Sequence, residues 1–469
     1  MGTHQFLIGG MLLAAAGVAL AHDHNSSSGK VLVRLHLNDF SGQLRDLAAQ
    51  HYDVAGVDLS AGTADVLVSP TEVSRFESLD GVQVVDRDYV ATWLAPDQRY
   101  HTYDKVVAEL RAFHDRYPAL TELKVYGKSL ENRDLYAIKI TSAVIADSSA
   151  KPKILFNAMH HAREVMTTEV AMDTIEFLLT KYGQDAKVTG WVNANEIWVA
   201  PMVNPDGNNK VWTSDSMWRK NARGGYGVDI NRNYPFKWGS CDGSSGSTGA
   251  QDYRGPSAGS EPETQALMSL VTTVKPAFDI SYHSYSELVL FPYGCEGQRT
   301  ETREVVERIG GDMAHLLPSD NGNGTYTPGT PWELLYAVDG GDIDWMYATH
   351  QVIPYVIELN SSSAGFQPPF SKRQPTVEKA RAAWALLLDR LTGSGIRGVI
   401  TTGALAGMKI QAKNLATDSE SLIHGVAADG SFHLVLEPGM YQLTVTGPQG
   451  LVHEEKVIVG DQLVRVTVN

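Results

Sequence analysis

The spacing of apolar and polar positions divides the chain into three differently patterned parts. In the first part, four short segments have the two-residue period of β-strands: residues 31–37, 52–57, 64–68 and 81–85. Helical spacing separates them over residues 40–50 and 69–79, where Ser69 can cap the second helix and Pro70 is tolerated in its first turn. The pattern predicts a small α+β domain that holds no cluster of polar side chains suited to chemistry.

The second part, residues 100–391, alternates long helical patterns with short apolar strands. Helices are expected at residues 104–117, 165–182 and 377–391. Buried strands are expected at residues 153–157, 196–203, 278–282 and 353–359. The alternation predicts an α/β sheet covered by helices on both faces, in which active residues belong to loops beyond the strand ends.

The third part begins after Gly393-Ser394-Gly395 and contains only short strand-like segments. Turn signals such as Asp429-Gly430 and Gly447-Pro448 separate these segments. The expected fold is a small antiparallel β-sandwich. The three patterns and the N-terminal segment predict these domain boundaries: residues 1–21, 22–99, 100–393 and 394–469.

The composition is that of a globular protein with a large core. The chain has 469 residues, of which 43% are hydrophobic and 20% charged, and its length favours two or three domains. Its formal net charge is -15, and no run of Lys or Arg stands out. This argues against nucleic acid or an anionic membrane surface as a partner, because both require clustered positive charge. The two cysteines, Cys241 and Cys295, are too few for a metal cage; after export they form either one disulfide or two free thiols.

Residues 1–21 are predicted to be a signal peptide. From Phe6 to Ala21 the chain is apolar and uncharged, and the small residues of Ala19-Leu20-Ala21 predict cleavage before His22. The start carries no Lys or Arg, which leaves an uncleaved membrane anchor as the alternative, although the run is short for a span of ~20 residues. We therefore expect export to an extracellular or periplasmic location, with no membrane contact after cleavage.

Export also bears on the domain at residues 22–99. We expect it to be a pro-segment that covers or chaperones the next domain, with a constitutive accessory domain as the alternative. Residues 86–99 have the character of an exposed connector, in which Arg87 and Arg99 are candidate cleavage points. An activating protease is then an expected partner.

His161 and Glu164 are candidate metal ligands at the end of a predicted strand. They are three residues apart, so a strand-to-helix turn can direct both side chains at one ion. Zinc binds imidazole nitrogen and carboxylate oxygen, and a catalytic site leaves one position open for water. The spacing alone is a weak signal, because many surface helices carry it by chance. His283, directly after another buried strand, is the candidate third ligand.

Further charged side chains follow in the same part of the chain. Arg219 and Arg232 offer donors that match a carboxylate or an oxyanion, and Asn231 adjoins one of them. Taken singly, each arginine is equally explained by a surface salt bridge. Glu358 ends an apolar strand, where it is either a buried structural acid or a catalytic base near the metal.

Seven ordered motifs in residues 100–391 resemble those of the zinc carboxypeptidases of the carboxypeptidase A type. They are His161-Ala-Arg-Glu164, Asn204-Pro-Asp-Gly207, Trp218-Arg219-Lys220, Asp229-x-Asn231-Arg232-Asn233, His283-Ser-Tyr285-Ser, Tyr336 before Gly340-Gly341-Asp342-Ile343-Asp344-Trp345, and Glu358-Leu359. The resemblance implies a mixed central sheet. The first domain resembles that family's activation peptide. The last resembles the transthyretin-like sandwich that is more usual beside the basic-specific branch.

The resemblance implies a catalytic centre with one zinc ion. The implied zinc ligands are His161, Glu164 and His283. Asp229 would orient the first histidine, since such support fixes the tautomer and the basicity of a ligand. Arg219 would polarise the scissile carbonyl, and Glu358 would act as general base and then as general acid.

The resemblance also implies how a substrate is held. Asn231 and Arg232, together with Arg163, would bind the terminal carboxylate of the substrate. Binding that group fixes the register, so that only the last peptide bond meets the metal. Tyr336 would cap the site from a mobile loop, and Tyr285 would line a neighbouring subsite.

Side-chain preference is implied by a few further positions. Ile343 matches a position where a hydrophobic residue goes with aromatic and aliphatic C-terminal side chains. Gly294 and Ser281 match small residues that line the pocket. Asp339 and Asp342 lie nearby, and either could admit Lys or Arg. A hydrophobic preference is expected, with a mixed hydrophobic and basic preference as the alternative.

Three functions are therefore weighed. The first is a secreted zinc carboxypeptidase, made as a zymogen, that acts on the C-termini of peptides and proteins. The second is another zinc amidohydrolase on the same scaffold, such as a cell-wall peptide hydrolase. The third is a catalytically dead binding module. Asn231, Arg232 and Tyr336 favour the first over the second, and Glu358 with the complete ligand set argues against the third.

Overall fold

The computed structural model describes residues 29–92, 96–142, 151–401, 403, 405–427 and 429–469. The predicted signal peptide and its cleavage site before His22 lie outside these residues. In the part of the chain that is described, no helix combines the length and the apolar character that a membrane crossing requires.

The N-terminal unit, residues 29–92, is an α+β structure. Its elements are β1 (Val31–His36), α1 (Phe40–Ala49), β2 (Asp53–Asp58), β3 (Thr63–Val68), α2 (Val73–Glu77), β4 (Val82–Asp86) and α3 (Tyr89–Thr92). The strands form one antiparallel sheet in the order β2-β3-β1-β4. Val33 and Val66 on one face of this sheet pack against Leu47 of α1 and Phe76 of α2. The predicted α+β fold of this unit is confirmed.

The other face of the N-terminal sheet packs against the central unit. Leu32 and Leu67 belong to one apolar cluster with Tyr285 and Phe366 of that unit. Alternate side chains of β1 and β3 therefore pack into two cores, one within the N-terminal unit and one shared with the central unit. The shared core holds the edge of the N-terminal unit against the strand ends of the central sheet.

Two local details of the N-terminal unit differ from expectation. The second helix begins at Val73 because Glu72 accepts hydrogen bonds from the backbone N–H and hydroxyl of Ser69, which holds residues 69–72 in a turn. The connector is not wholly exposed: Tyr89 is 3% exposed, and its N–H donates to the carbonyl of Lys30.

The central unit, residues 96–392, is a layered α/β structure. Its helices are α4 (Tyr103–Arg116), α5 (Val165–Lys181), α6 (Ala186–Ala194), α7 (Pro205–Thr213), α8 (Pro262–Val274), α9 (Arg303–His315), α10 (Pro331–Leu334), α11 (Asp342–His350) and α12 (Arg373–Thr392). Its strands are β5 (Thr121–Lys128), β6 (Asp134–Ile140), β7 (Lys153–Ala158), β8 (Glu196–Ala200), β9 (Phe278–Ser284), β10 (Leu288–Leu290), β11 (Thr327–Gly329) and β12 (Ile353–Leu359). Short 3-10 turns occur at Arg223–Gly225, Ile230–Arg232 and Phe370–Lys372.

One eight-stranded sheet runs through this unit in the order β11-β10-β12-β9-β7-β8-β6-β5. The pairs β8–β7, β7–β9 and β9–β12 are parallel, whereas β5–β6, β6–β8 and β10–β12 are antiparallel, so the predicted mixed sheet is confirmed. The middle strands are buried along almost their whole length, as expected for parallel strands covered by helices. Their carboxyl ends meet at one edge, and this edge carries the site.

The C-terminal unit, residues 394–469, is a β-sandwich. Its strands are β13 (Gly395–Ile400), β14 (Lys409–Asn414), β15 (His424–Gly425), β16 (Ser431–Val435), β17 (Gly439–Gly447), β18 (Gly450–Val459) and β19 (Leu463–Val468). Two sheets, β16-β13-β19 and β15-β14-β17-β18, enclose a separate apolar core. The sandwich is antiparallel except for β13 and β19, which pair in parallel. Glu437 joins it to the central unit through ion pairs with Arg390 at 3.1 Å and Arg308 at 2.8 Å.

Candidate metal centre and substrate pocket

The candidate metal ligands come from the ends of two neighbouring strands. β7 ends at Ala158, and the turn that follows carries His161 before α5 begins after Glu164. The N–H of Ala162 donates to the carbonyl of Arg219, which fixes this turn against the next loop. His283 lies near the end of β9, the strand beside β7. The sheet therefore brings His283 to His161 and Glu164, from which the sequence separates it by more than a hundred residues.

The ligand atoms of His161, Glu164 and His283 converge on one point. His161 Nδ1 lies 2.8 Å from Glu164 Oε1 and 3.1 Å from His283 Nδ1. His283 Nδ1 lies 3.2 Å from Glu164 Oε2. Burial raises the pKa of Glu164, but the charges of the two histidines outweigh it and lower that pKa well below its usual range. A carboxylate held ionised between two imidazole nitrogens is a negative site for a cation.

Asp229 supports this cluster from behind. Its Oδ1 lies 3.2 Å from His161 Nε2, the ring nitrogen that faces away from the cluster. Its Oδ2 accepts hydrogen bonds from Arg219 at 3.1 and 2.7 Å. The side chain also accepts from the backbone N–H of Asn231 at 2.9 Å. Asp229 thus fixes the His161 ring so that Nδ1 points into the cluster.

The donor set fits one zinc ion. Two imidazole nitrogens and one carboxylate oxygen are the ligands that catalytic zinc takes from a protein, with a further position left for water or substrate. The ligand atoms lie within 4.8 Å of one another, and residues 29–469, as far as they are described, contain no second group of this kind. Two Nδ1 atoms 3.1 Å apart also repel each other unless a proton or a cation lies between them.

Glu358 faces the metal cluster from the adjacent strand. In the parallel register of β12 and β9, Glu358 is paired with His283, so both side chains reach the same side of the sheet. Its carboxylate has no hydrogen-bond partner among the described residues. The pKa of Glu358 is raised to about 7: burial is the largest cause, His283 lowers it and Glu164 raises it. Glu358 is therefore placed and tuned to exchange a proton.

The pocket beside the metal cluster has a volume of about 70 Å³ and is lined on one side by Arg219, Asn231 and Arg232. Arg232 is held by hydrogen bonds to the carbonyls of Gly243, at 3.1 Å, and Asn231, at 2.9 Å. Asn231 Oδ1 accepts from the N–H of Asp342 at 2.9 Å. The side chains are rigidly placed, and the wall is positively charged.

Tyr336 and Tyr285 both line this pocket, and both contact the N-terminal unit. Tyr336 packs into an apolar cluster that includes Leu44 of α1. The Tyr285 hydroxyl donates to Asp65 at 3.1 Å, and a Cβ on Gly56 would lie 2.5 Å from its ring. The absence of a side chain at Gly56 therefore allows the N-terminal unit to approach the pocket wall.

Arg163 is not where the sequence predicted it. Its guanidinium makes two hydrogen bonds to Asp53 of the N-terminal unit, at 2.9 and 2.7 Å, and lies 4.1 Å from the ring of Phe366. It does not line the pocket that holds Asn231 and Arg232. In the intact chain Arg163 therefore binds a carboxylate of the chain itself, and its predicted role in holding a terminal carboxylate stays a prediction for the chain without Asp53.

The predicted specificity residues divide into two groups. Ile343 and Asp342 line the pocket, whereas Gly294, Ser281 and Asp339 do not. The carboxylate of Asp339 is fully occupied as an acceptor: the N–H groups of residues 239, 241 and 243 and the hydroxyl of residue 244 all donate to it. Asp339 therefore does not contact a substrate in the pocket. Its hydrogen bonds hold the loop after Tyr336 against residues 239–244.

The two cysteines form a disulfide, which settles the alternative left open by the sequence. Cys241 lies in the loop that Asp339 binds, and Cys295 follows β10. The N–H of Val338 donates to the carbonyl of Gly294, one residue before Cys295, at 2.9 Å. The disulfide and these hydrogen bonds hold the rim of the pocket together.

Sequence reasoning missed three residues around the site. Asp53 has no local signal, because its partner Arg163 is 110 residues away. His160 stacks on His283 at 5.6 Å and lies 2.9 Å from the Tyr234 hydroxyl; its position beside His161 was the available signal. Asp344 lines the pocket, and burial raises its pKa to about 7.

A mixed α/β sheet that presents a His–Glu–His cluster and a hydrogen-bond-free glutamate at its strand ends defines a metal-dependent hydrolase. Comparison with known families narrows the class. The family profile described as zinc carboxypeptidase, peptidase family M14, matches residues 106–383, which is more than half of the chain. The protein belongs to the zinc carboxypeptidase family, whose cofactor is one zinc ion.

Individual relatives agree with this assignment. The chain is 31% identical over 265 residues to the metallocarboxypeptidase A-like protein of Trichophyton verrucosum, covering 54% of this chain and 60% of that protein. It is 30% identical over 289 residues to carboxypeptidase A2 of Rattus norvegicus, covering 60% and 68%. The match therefore spans less than two thirds of the Trichophyton protein.

Solved structures show the same fold. The carboxypeptidase A from Helicoverpa armigera is similar with a TM-score of 0.66 and 23% identity, over 78% of this chain and 97% of that one. Bovine thrombin-activatable fibrinolysis inhibitor, in complex with tick carboxypeptidase inhibitor, is similar with a TM-score of 0.56 and 28% identity, over 62% and 97%.

Proposed function

We propose that the protein is a secreted carboxypeptidase that removes the last residue of peptides and proteins, with Glu358 as its general base. The observation that carries this proposal is the arrangement of one pocket. His161, Glu164 and His283 form a metal site, Glu358 faces it, and a fixed arginine and amide lie on the adjacent wall. The disulfide supports export, because such bonds persist in oxidising compartments.

The chemistry follows from the positions of these groups. A bound zinc ion supplies a Lewis acid for the scissile carbonyl and lowers the pKa of water from ~15.7 to about 7. Glu358 takes the proton from the attacking water and passes it to the leaving amine. Arg219 stabilises the negative charge that develops on the carbonyl oxygen. Each step uses a side chain whose position is fixed by strand register or by Asp229.

Arg232 and Asn231 give the site its preference for chain ends. A guanidinium matches the two oxygens of a terminal carboxylate, and such charged hydrogen bonds are among the stronger ones. Once that carboxylate is held, the last peptide bond lies at the metal and internal bonds do not. An amidohydrolase that acts on other amides would not need this pair.

A hydrophobic C-terminal side chain suits the pocket best. Leu290, Leu335, Ile343 and Val356 provide an apolar wall. Asp344, the acid at this wall, has its pKa raised to about 7 by burial, so it offers only part of a negative charge at neutral pH. We expect the processed enzyme to release Phe and Leu at least about 10-fold faster than Lys or Glu.

This preference is measured as kcat/KM for peptides that differ only in the last residue, Phe, Leu, Lys or Glu. A chelator should abolish release from all four, because every reaction uses the same metal. Faster release of Lys than of Phe would contradict the proposed pocket, while leaving the carboxypeptidase activity in place. Internal cleavage alone would contradict the proposed activity.

We also propose that the N-terminal unit inhibits the enzyme until it is cleaved off in the connector. Val54, Ala55 and Gly56 of β2 line the substrate pocket. Asp53, at the start of the same strand, binds Arg163 with two hydrogen bonds. A substrate cannot enter while β2 occupies this place.

The substitution Asp53→Asn should release the inhibition in part. It keeps the shape of the side chain but leaves the buried Arg163 charge without its partner, which costs about 3–5 kcal/mol in comparable buried pairs. Activity of the uncleaved chain should therefore rise severalfold toward that of the cleaved enzyme. The measurement is kcat/KM of the intact protein before and after limited proteolysis.

Asp46→Asn is the matched control, since Asp46 is an exposed acid on α1. It should leave the uncleaved chain as inactive as the unchanged protein. Equal activities of the Asp53→Asn and Asp46→Asn chains, or full activity of the uncleaved protein itself, would refute inhibition through this contact.

A further inference from the structure

A second cavity lies between the central unit and the C-terminal sandwich. It has a volume of about 290 Å³ and is bounded by the starts of β7 and β12, the residues before β9, and β15 and β16 of the sandwich. The metal centre lies at the carboxyl ends of β7, β9 and β12, so this inter-unit cavity is at the opposite edge of the same sheet. It shares no lining residue with the substrate pocket.

Basic side chains from both units line the inter-unit cavity. The central unit contributes Lys151, Lys153, Lys275 and His350. The sandwich contributes an arginine and two histidines, which are described below. No Asp or Glu is among the described residues that line it, although the chain as a whole has a net charge of -15. This concentration of positive charge runs against the composition of the protein.

The sandwich side of the inter-unit cavity is formed by Arg397, His424 and His433. Both ring nitrogens of His433 are buried, and neither has a hydrogen-bond partner among the described residues. Arg397 makes no hydrogen bond or ion pair with a described residue. Asp429 acts on Arg397 through space and does not line the cavity. Arg397 and His433 therefore line the cavity without a hydrogen-bond partner among the described residues.

The central-unit side is similar. Lys153 makes no side-chain hydrogen bond or ion pair with a described residue. Among the described residues, Lys151 Nζ donates to uncharged oxygens, those of Thr141 at 2.9 Å and of Ser142 at 2.9 and 3.3 Å. The carboxylate of Glu196 acts on Lys151 from a distance and lies outside the lining. The acids that act on Lys151 and Arg397 therefore lie outside the lining, and the described lining residues carry basic charge alone.

Four of the basic groups that line the inter-unit cavity have a lowered pKa. Burial lowers the pKa of Lys151 and, together with Arg465, that of Arg397. Burial lowers the pKa of His424 to about 4 and, with Arg397 and His424 adding to it, that of His433 to about 3. Each shift means that burial disfavours positive charge in the inter-unit cavity, and a bound anion would oppose that effect.

We propose that the inter-unit cavity is a binding site for a small molecule that carries a tetrahedral oxyanion, a phosphate or sulfate ester. Lys153 and Arg397, one from each unit, would hold the charged group from opposite walls, and an N–H of His433 would donate to it. The apolar side chains of Leu422 and Phe432 would pack against the organic part. A volume of about 290 Å³ corresponds to a molecule the size of a sugar ester.

The site would couple the two units. A ligand held by residues of both units binds the folded, docked arrangement and not the unfolded chain, so it raises the melting temperature in proportion to its concentration and affinity. The metal centre is not involved, and the proposal is independent of the peptidase activity.

The test uses the full chain, calorimetric titration and thermal unfolding. The probes are glucose 6-phosphate and glucose 6-sulfate, with glucose, and sodium chloride at matched ionic strength, as controls. We expect one ester molecule to bind per chain and to raise the melting temperature, while glucose and chloride do not. The relative affinity of the two esters identifies which oxyanion the site takes.

Variants of both walls locate the binding. Lys153→Gln and Arg397→Gln should each weaken ester binding about 10- to 100-fold, because each removes a charged hydrogen bond. Lys456→Gln, an exposed lysine of β18, is the matched control and should bind normally. The melting temperature without ligand shows whether each variant folds. If one variant does not fold, the variant on the opposite wall still tests where the ester binds.

Two results would overturn the proposal. One is that neither ester binds better than chloride at matched ionic strength. The other is that the Lys153→Gln and Arg397→Gln chains bind the ester as tightly as Lys456→Gln, which would place the binding elsewhere on the surface.

Discussion

The Glu358→Gln chain, after cleavage of the connector, should still bind one zinc ion and should lose about 10²–10⁴-fold in kcat, the range that general acid–base groups contribute. Glutamine has the same shape but cannot accept the proton of the attacking water or return it to the leaving amine. Glu358 is not one of the three converging ligands, so the metal site itself should remain intact. The KM for a peptide substrate should change little, because Arg232 and Asn231 are untouched.

Metal content by atomic absorption and kcat from amino-acid release give the two readouts. Glu378→Gln, an exposed glutamate on α12, is the control and should retain both zinc and turnover. If Glu358→Gln kept its kcat, another group would have to be the base. If it lost zinc together with activity, Glu358 would be part of the metal site instead.

His283→Ala should lose zinc and activity together. Its Nδ1 lies 3.1 Å from that of His161, so its removal leaves only one imidazole and one carboxylate in the cluster. Two ligands do not hold a catalytic zinc ion, which takes three from the protein. We expect zinc content to fall from one ion per chain to near zero at micromolar free zinc, with activity below that of Glu358→Gln.

The matched control is His315→Ala, an exposed histidine at the end of α9. It should keep a full complement of zinc and normal turnover. Retention of one tightly bound zinc ion in the His283→Ala chain would show that the ligand set is wrong. Partial activity recovered at high zinc concentration would agree with it, because mass action can repopulate a weakened site.

Much of the catalytic centre could be anticipated because its residues lie at the ends of apolar strands. His161 follows the strand at residues 153–158, and His283 and Glu358 each lie one residue before the end of their strands, β9 and β12. An apolar run followed by a polar residue is visible in the local sequence. Because the strands are neighbours in one sheet, the polar residues at their ends lie close together. The order of the motifs then indicated the family before any distance was known.

The long-range contacts could not be read in the same way. Asp53 and Arg163 form a buried pair, yet neither sits in a pattern that points to the other. The resemblance implies that Arg163 binds a substrate, and in the intact chain Arg163 binds Asp53. Asp339 is a similar case. Its place in the sequence suggested a specificity residue, but its carboxylate accepts four hydrogen bonds from residues 239–244 and does not line the pocket.

The strands β5 and β6 were missed for a physical reason. β5 is the edge of the sheet, three of its eight residues are exposed, and its register shifts between Val125 and Gly127. A Cβ at Gly127 would lie 2.4 Å from the Cβ of Ala266, so α8 packs closely here because no side chain is present. A strand with such a bulge shows neither a regular two-residue period nor the apolar run of a buried strand in its sequence.

Mass spectrometry of two matched peptides tests the central claim most directly. Both have the same sequence ending in Phe, one with a free terminal carboxylate and one with a terminal amide, and both are incubated with the enzyme cleaved in its connector. The account predicts that the free peptide loses a single Phe, that the amide is cut at least about 100-fold more slowly because Arg232 and Asn231 lack their partner, and that a chelator stops the reaction until one equivalent of zinc restores it. Equal cleavage of both peptides, or cleavage that survives the chelator, would contradict a zinc carboxypeptidase.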